Sequence, residues 1–184
     1  MFRVEDILPR ARFSWPYAAL IAAGATTAQL APAQMTSKNV LVGARALSFL
    51  QPALSGSVTA AIVYQPGDAG SEAEAQAIER ALGSGLVIGS LRLKPKKVSA
   101  DALGSLAGAK VAFVTRGTNY RQVASVATQR SIITISSDPG CAQAGLCVIS
   151  ISSRPKVQIV VSKAACNASK VKFGAAFLML VKEI

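Results

Sequence analysis

The chain has 184 residues, with 20 Lys and Arg against 9 Asp and Glu, no histidine, and a formal net charge of +11. The missing histidine removes the commonest general base and the commonest zinc ligand. The basic balance raises nucleic acid as a partner. However, Lys94, Lys96 and Lys97 form the one tight cluster, Pro95 divides it, and no nucleic-acid motif appears.

Met1–Pro16 is a mixed polar start, with Arg3, Arg10 and Arg12 set against Glu5 and Asp6. An apolar, small-residue run follows from Tyr17 to Leu30, and Ala31-Pro32-Ala33 has the small-x-small form of a cleavage site. The expectation is a signal peptide over residues 1–33, cut before Gln34. The run is too short and too often broken by Thr, Gln and Gly for a membrane span, so the cleaved protein is expected not to be transmembrane. Residues 34–184 then form one domain of 151 residues with a net charge of +10. An exported protein of this kind resides in the periplasm, where disulfides persist.

In chain order, residues 38–54 read as a helix, with Val42, Arg45, Ala46 and Phe49 recurring at three and four. Val58–Tyr64 reads as a buried strand and Gln65–Ser71 as a turn. Glu72–Leu82 reads as a helix capped by Ser71, with Glu74 at the third position beyond the cap, and Gly83 and Gly85 end it. Leu86–Leu93 is expected to be one strand, Ala100–Leu106 a short helix capped by Ser99, and Lys110–Thr115 a strand. Asn119–Gln129 reads as a helix and Ser131–Ser136 as a strand. Cys147–Ser152 and Val157–Val161 form a hairpin about Arg154-Pro155, and Ala164–Ala168 and Phe173–Lys182 read as helical. Alternation of strand and helix predicts a single compact Rossmann-like α/β domain. Its sheet is mixed and mostly parallel, flanked by helices, with a C-terminal hairpin and helix.

No catalytic constellation emerges. Asp68, Glu72, Glu74 and Glu79 lie in or beside one amphipathic helix and read as solvated residues. There is no G-x-S-x-G elbow, dinucleotide fingerprint or phosphate loop. No cofactor and no metal site is expected. Arg116-Gly117-Thr118-Asn119 links a strand to a helix. Backbone donors there could hold an anion, or the segment is a plain loop with Thr118 or Asn119 as cap. Cys141 and Cys147 are separated by five residues around Gly145. In an oxidising compartment they read as a disulfide, with free buried thiols as the other reading, and Cys166 is left over. Phe173–Val181 is apolar nearly all round. Phe173, Phe177, Leu178 and Val181 are candidate partner-binding residues there, unless the segment packs into its own domain.

The stretch from Val111 to Glu183 resembles the YfiR-like family in the order of its parts. These are a strand ending in a small-polar loop (VAFVTRGTN), a strand leading to Ser137-Asp138, a glycine-containing turn into a strand (Gly145–Ile151), a second strand and a closing helix. The opening helix differs, since Phe49-Leu50-Gln51-Pro52 only loosely matches the family's aromatic-Pro pair. The resemblance implies a non-catalytic exported regulator that contacts the periplasmic part of a membrane-bound sensor or diguanylate cyclase. It also implies homodimers with apolar working surfaces, and a disulfide near the turn that Cys141 and Cys147 match. Cyclic-di-GMP would stay in the cytoplasm and is not an implied ligand. The other function compatible with the basic charge and α/β layout is a small periplasmic anion- or solute-binding protein, with Arg116–Asn119 and Lys94–Lys97 near the ligand.

Overall fold

A run of Ala, Ile and Val at 60–63 that is buried on both sides marks the middle of the sheet. The computed structural model describes residues 34–153 and 155–184. The expected signal peptide, residues 1–33, lies outside the described residues. The central strand is β1 (Gly56–Tyr64), with α1 (Ser37–Ala46) before it and α2 (Ala69–Leu82) after it. Next come β2 (Leu86–Ile88), β3 (Leu91–Ser99), a 3-10 segment (Ala100–Leu106), β4 (Ala109–Val114), α3 (Tyr120–Gln129) and β5 (Ile133–Ser136). The chain closes with α4 (Pro139–Gln143), β6 (Ile149–Ser152), β7 (Gln158–Val161), α5 (Lys163–Ala168), α6 (Ala175–Leu178) and β8 (Lys182–Glu183).

The strands form one sheet in the order β2-β3-β1-β4-β5-β6-β7-β8. The five from β3 to β6 run parallel, while β2 against β3 and β6 against β7 are antiparallel. This is the single α/β domain with a mixed, mostly parallel sheet and a C-terminal hairpin that strand–helix alternation predicts. Period-two alternation splits the core in two. Val58, Ala60 and Ile62 of β1 join Val111 and Phe113 of β4 and Ile133 and Ile135 of β5 beneath α1 and α2. Ala61 and Val63 join Ala112, Val114, Val123 and Ala127 beneath α3.

Several elements depart from the sequence reading. The first helix ends at Ala46 with one 3-10 turn (Leu47–Phe49), and Leu50 is extended, with ψ 151°, where it bridges Phe173. The expected strand Leu86–Leu93 is a hairpin, broken by Gly89 at φ +57°. Its second arm, β3, runs on through the lysines to Ser99. Pro95 pairs with Ala60 of β1 on one side and is tolerated in β3 because β2 covers only Leu91–Leu93, which leaves the other side of β3 unpaired at Pro95. Ala100–Leu106 is a 3-10 segment kinked at Ala102. Residues 139–143, expected as loop, form α4, with Asp138 accepting from Gly140 N and Pro139 in the first turn. The expected helix over Phe173–Lys182 shrinks to Ala175–Leu178, followed by β8 on the edge of β7.

Candidate functional site

In an open parallel sheet, ligands bind beyond the carboxyl ends of the strands, where the strand order reverses. Here that place lies between β1 and β4, since the chain passes from β1 to β3 on one side and then crosses from β3 to β4 on the other. Three helix starts surround it. Asp68 caps α2 by accepting from Ser71 N at 2.7 Å, Asn119 caps α3, and Asp138 caps α4. Ser71, the expected cap, lies inside the helix instead. Its hydroxyl accepts from Gln65 N and bonds Thr115 Oγ1 at 2.6 Å, and Thr115 in turn donates to Val63 O.

Glu74 corrects the sequence reading most sharply. It is not solvated but 1% exposed, on the sheet-facing side of α2. Its Oε1 accepts from Met35 N at 2.6 Å and from Ser137 Oγ at 2.6 Å, and its Oε2 accepts from Arg116 N at 2.9 Å. A buried carboxylate is tolerable when donors surround it. These donors come from the segment before α1, the end of β5 and the loop after β4, so Glu74 ties three segments to α2.

This changes the meaning of Arg116–Asn119. The anion held by the Arg116 amide is the chain's own Glu74. Thr118 is buried and donates to Thr115 O, and the Asn119 side chain accepts from Gln122 N. Gly117, at φ +82°, lies open at the rim, and a Cβ there would come within 3.0 Å of Asp68 Oδ2. The remaining cavity, about 170 Å³, is lined by Gln34, Asp68, Gly70, Ser71, Glu74, Arg116 and Gly117. It therefore offers two carboxylates against one guanidinium, which suits a donor-bearing ligand better than an anion. Lys94–Lys97 are not part of it. Lys97 pairs with Glu79 at 3.9 Å and lies over the Tyr64 ring, and Lys96 Nζ donates to Ser105 O.

Tyr120, at the start of α3, was not singled out by the sequence. Its hydroxyl is sequestered with no well-formed hydrogen bond. Burial, with smaller contributions from the Asp138 and Glu74 charges, pushes its pKa up to about 12, against a downward pull from the nearby Ser136 hydroxyl.

Cys141 and Cys147 are joined by a disulfide, with Cα atoms 5.2 Å apart. It closes α4 and the turn at Gly145, where φ is +71°. Cys166 is free and buried, and desolvation raises its thiol pKa to about 11. Of the proposed partner-binding residues, Phe173 and Phe177 are buried and pack on each other at 5.1 Å, and Phe177 stacks on Phe49 at 5.0 Å. Leu178 and Val181 are half-buried. The most exposed large apolar residues of this segment are Met179 and Leu180 instead, at 80% and 79%.

Among the described residues, no group of His, Cys, Asp and Glu side chains could hold a metal ion, and no helix is long and apolar enough to cross a membrane. The sequence matches no protein-family model and no curated relative. Solved structures do share the fold. A conserved domain protein from Vibrio cholerae O1 biovar eltor matches with TM-score 0.59 at 11% identity, over 82% of this chain and 60% of its own. The ligand-free, open structure of CD0873, a substrate binding protein with adhesive properties from Clostridium difficile, matches with TM-score 0.57 at 12% identity, over 83% and 60%. The ABC domain in complex with L-Trp from Streptococcus pneumoniae matches with TM-score 0.54 at 11% identity, over 80% and 59%. The chain thus spans about 60% of the length of these structures, and what it shares with them is the fold.

Proposed function

We propose that this chain is a non-catalytic, exported binding domain that takes a small solute at the crevice between β1 and β4. The observation that carries this reading is the cavity at the strand-order reversal, with the Asp68 and Glu74 carboxylates in its lining. The fold likeness to structures described as a substrate binding protein and as a complex with L-Trp supports it. The lining selects a solute with a primary ammonium or comparable donor. Glu74 already accepts three hydrogen bonds, which leaves it about one further acceptor position. The Asp68 carboxylate lines the same cavity. At about 170 Å³ the space admits the polar end of a small molecule rather than a whole large one.

Thermal-shift measurements with primary amines, amino acids and inorganic phosphate test this. A rise in melting temperature with amines or amino acids, and none with phosphate, is the expected result. Asp68→Asn keeps a capping side chain on α2 and should weaken binding roughly tenfold by removing a charged acceptor. Stabilisation by phosphate alone would contradict the reading.

A second reading is favoured by the way the chain fills its own crevice. Met35 is buried there and donates to Glu74. On this reading the domain is a periplasmic regulator, as the YfiR-like resemblance implies, which acts by contact with a membrane-bound signalling protein such as a diguanylate cyclase. Co-purification of such a protein from solubilised membranes, with no solute response, would select it.

A further inference from the structure

The C-terminal turn presents an unusual surface. Met179 and Leu180, between α6 and β8, are 80% and 79% exposed. They are not on a loose tail. Met179 N donates to Ala175 O and Leu180 N to Phe177 O, at 3.1 and 2.9 Å. Phe177 beneath them is buried and stacked on Phe49, itself 42% exposed. Past the turn, Ile184 N donates to Val161 O, and Lys163 N donates to Ile184 O. Two large apolar side chains therefore stand on a fixed base and point into water.

Lysines border this tip. Lys163 and Lys172 line one groove with Leu178, and Lys182 follows the tip on β8. Lys170 lies beside Lys172 in the adjoining groove. Glu183 is the one acid between residues 163 and 184, and it is already paired with Lys163 at 3.2 Å. Lys172, in the groove that Leu178 lines, and Lys182, two residues past Leu180, thus leave the flanks of a short apolar projection net positive.

We propose that this tip docks on an anionic phospholipid bilayer, with Met179 and Leu180 entering the interfacial layer and Lys172 and Lys182 meeting the headgroups. The chemistry fits each part. Apolar side chains gain by leaving water at the headgroup–acyl boundary, and each lysine near a negatively charged surface adds attraction. Lysine stems can lie along the apolar layer with their ammonium groups in the headgroups. A second copy fits less well. A two-fold contact would set the same lysines against themselves, and two projecting side chains fall far short of the area that a stable protein interface buries.

The test is vesicle co-sedimentation of the protein as recovered from expressing cells, with its intact mass recorded. Phosphatidylethanolamine vesicles are compared with and without phosphatidylglycerol. Each result is read as a difference between wild type and variant, so any contribution of residues 1–33 cancels. Met179→Ser with Leu180→Ser should leave the melting temperature unchanged, because both side chains are exposed, and should lower binding to phosphatidylglycerol vesicles roughly tenfold or more. Lys172→Glu with Lys182→Glu should lower it as well, and salt should weaken the wild type more than this variant. Equal binding by wild type and the Met179/Leu180 variant overturns the proposal. So does a concentration-dependent dimer that this variant abolishes without any effect on vesicle binding. Binding to native membranes that is lost after protease treatment, with none to pure lipid, also overturns it and points to a protein partner.

Discussion

Ser137 Oγ lies 2.6 Å from Glu74 Oε1, joining the end of β5 to the inner side of α2. The same carboxylate holds Met35 N and Arg116 N, so one buried side chain fixes the geometry of the whole crevice. Replacing it with alanine strands two backbone donors and a hydroxyl. Glu74→Ala is expected to cost roughly 3 kcal/mol or more, and Glu74→Gln less, because one carbonyl oxygen remains to accept. Urea denaturation of the two variants beside wild type measures this. Unchanged stability in Glu74→Ala would mean that the network is not structural.

The Cys141–Cys147 bond and the buried, free Cys166 make separate predictions. Non-reducing peptide mapping should show Cys141 linked to Cys147. Opening so short a loop by Cys141→Ser with Cys147→Ser is expected to cost about 2 kcal/mol. Cys166 is buried, with a pKa near 11. It should resist alkylation of the folded protein near neutral pH, react once denatured, and become more reactive as pH rises toward 11. A Cys166 linkage to either partner in the recovered protein would contradict this assignment.

Tyr120 makes a prediction with a definite sign. Its pKa is raised from 10.0 to about 12 in the folded state. Above pH 10 the unfolded chain gives up this proton while the folded protein keeps it. The unfolded state then binds fewer protons, and stability falls with rising pH until about 12, beyond which this group adds no further loss. Denaturant midpoints at stepped alkaline pH should decline more steeply in wild type than in Tyr120→Phe.

Gly43 reports how closely α1 lies on the sheet. A Cβ there would stand 3.0 Å from Ile151 Cδ1 and 3.3 Å from Ile135 Cγ2. Gly43→Leu should therefore cost roughly 1–3 kcal/mol through overpacking. Gly43→Ala should stay near neutral. The Ile151 Cδ1 end, the tightest contact, can move slightly, and the gain in helix propensity of about 1 kcal/mol offsets the strain. Thermal melts of both variants separate the two effects.

The layout of the sheet was readable because β1, β4 and β5 are buried on both faces and appear as unbroken apolar runs. The crevice was read less well. Asp68 and Ser71 are both competent caps three residues apart, and only the path of the chain selects Asp68. Glu74 looked solvated by residue type. Its spacing said otherwise, for Ser71, Glu74, Ala75, Ile78 and Leu82 recur at three and four and form the buried stripe of α2. The hairpin at Gly89 was missed because a single glycine in an apolar run reads as a weak spot rather than a reversal. The apolar C-terminus looked helical throughout, but it is divided between the core, an exposed turn and an edge strand, a division made by tertiary contacts with Phe49 and β7.

The proposed function places a small donor-bearing solute in the crevice between β1 and β4. The most direct measurement is a ¹H–¹⁵N NMR titration of the folded protein with an amino acid or simple amine that stabilises it. The account predicts saturable shifts concentrated at the amides of Gly70, Ser71, Arg116 and Gly117, strongly reduced in Asp68→Asn. Shifts confined to other surfaces, or no saturable shifts with any amine or amino acid, would contradict it.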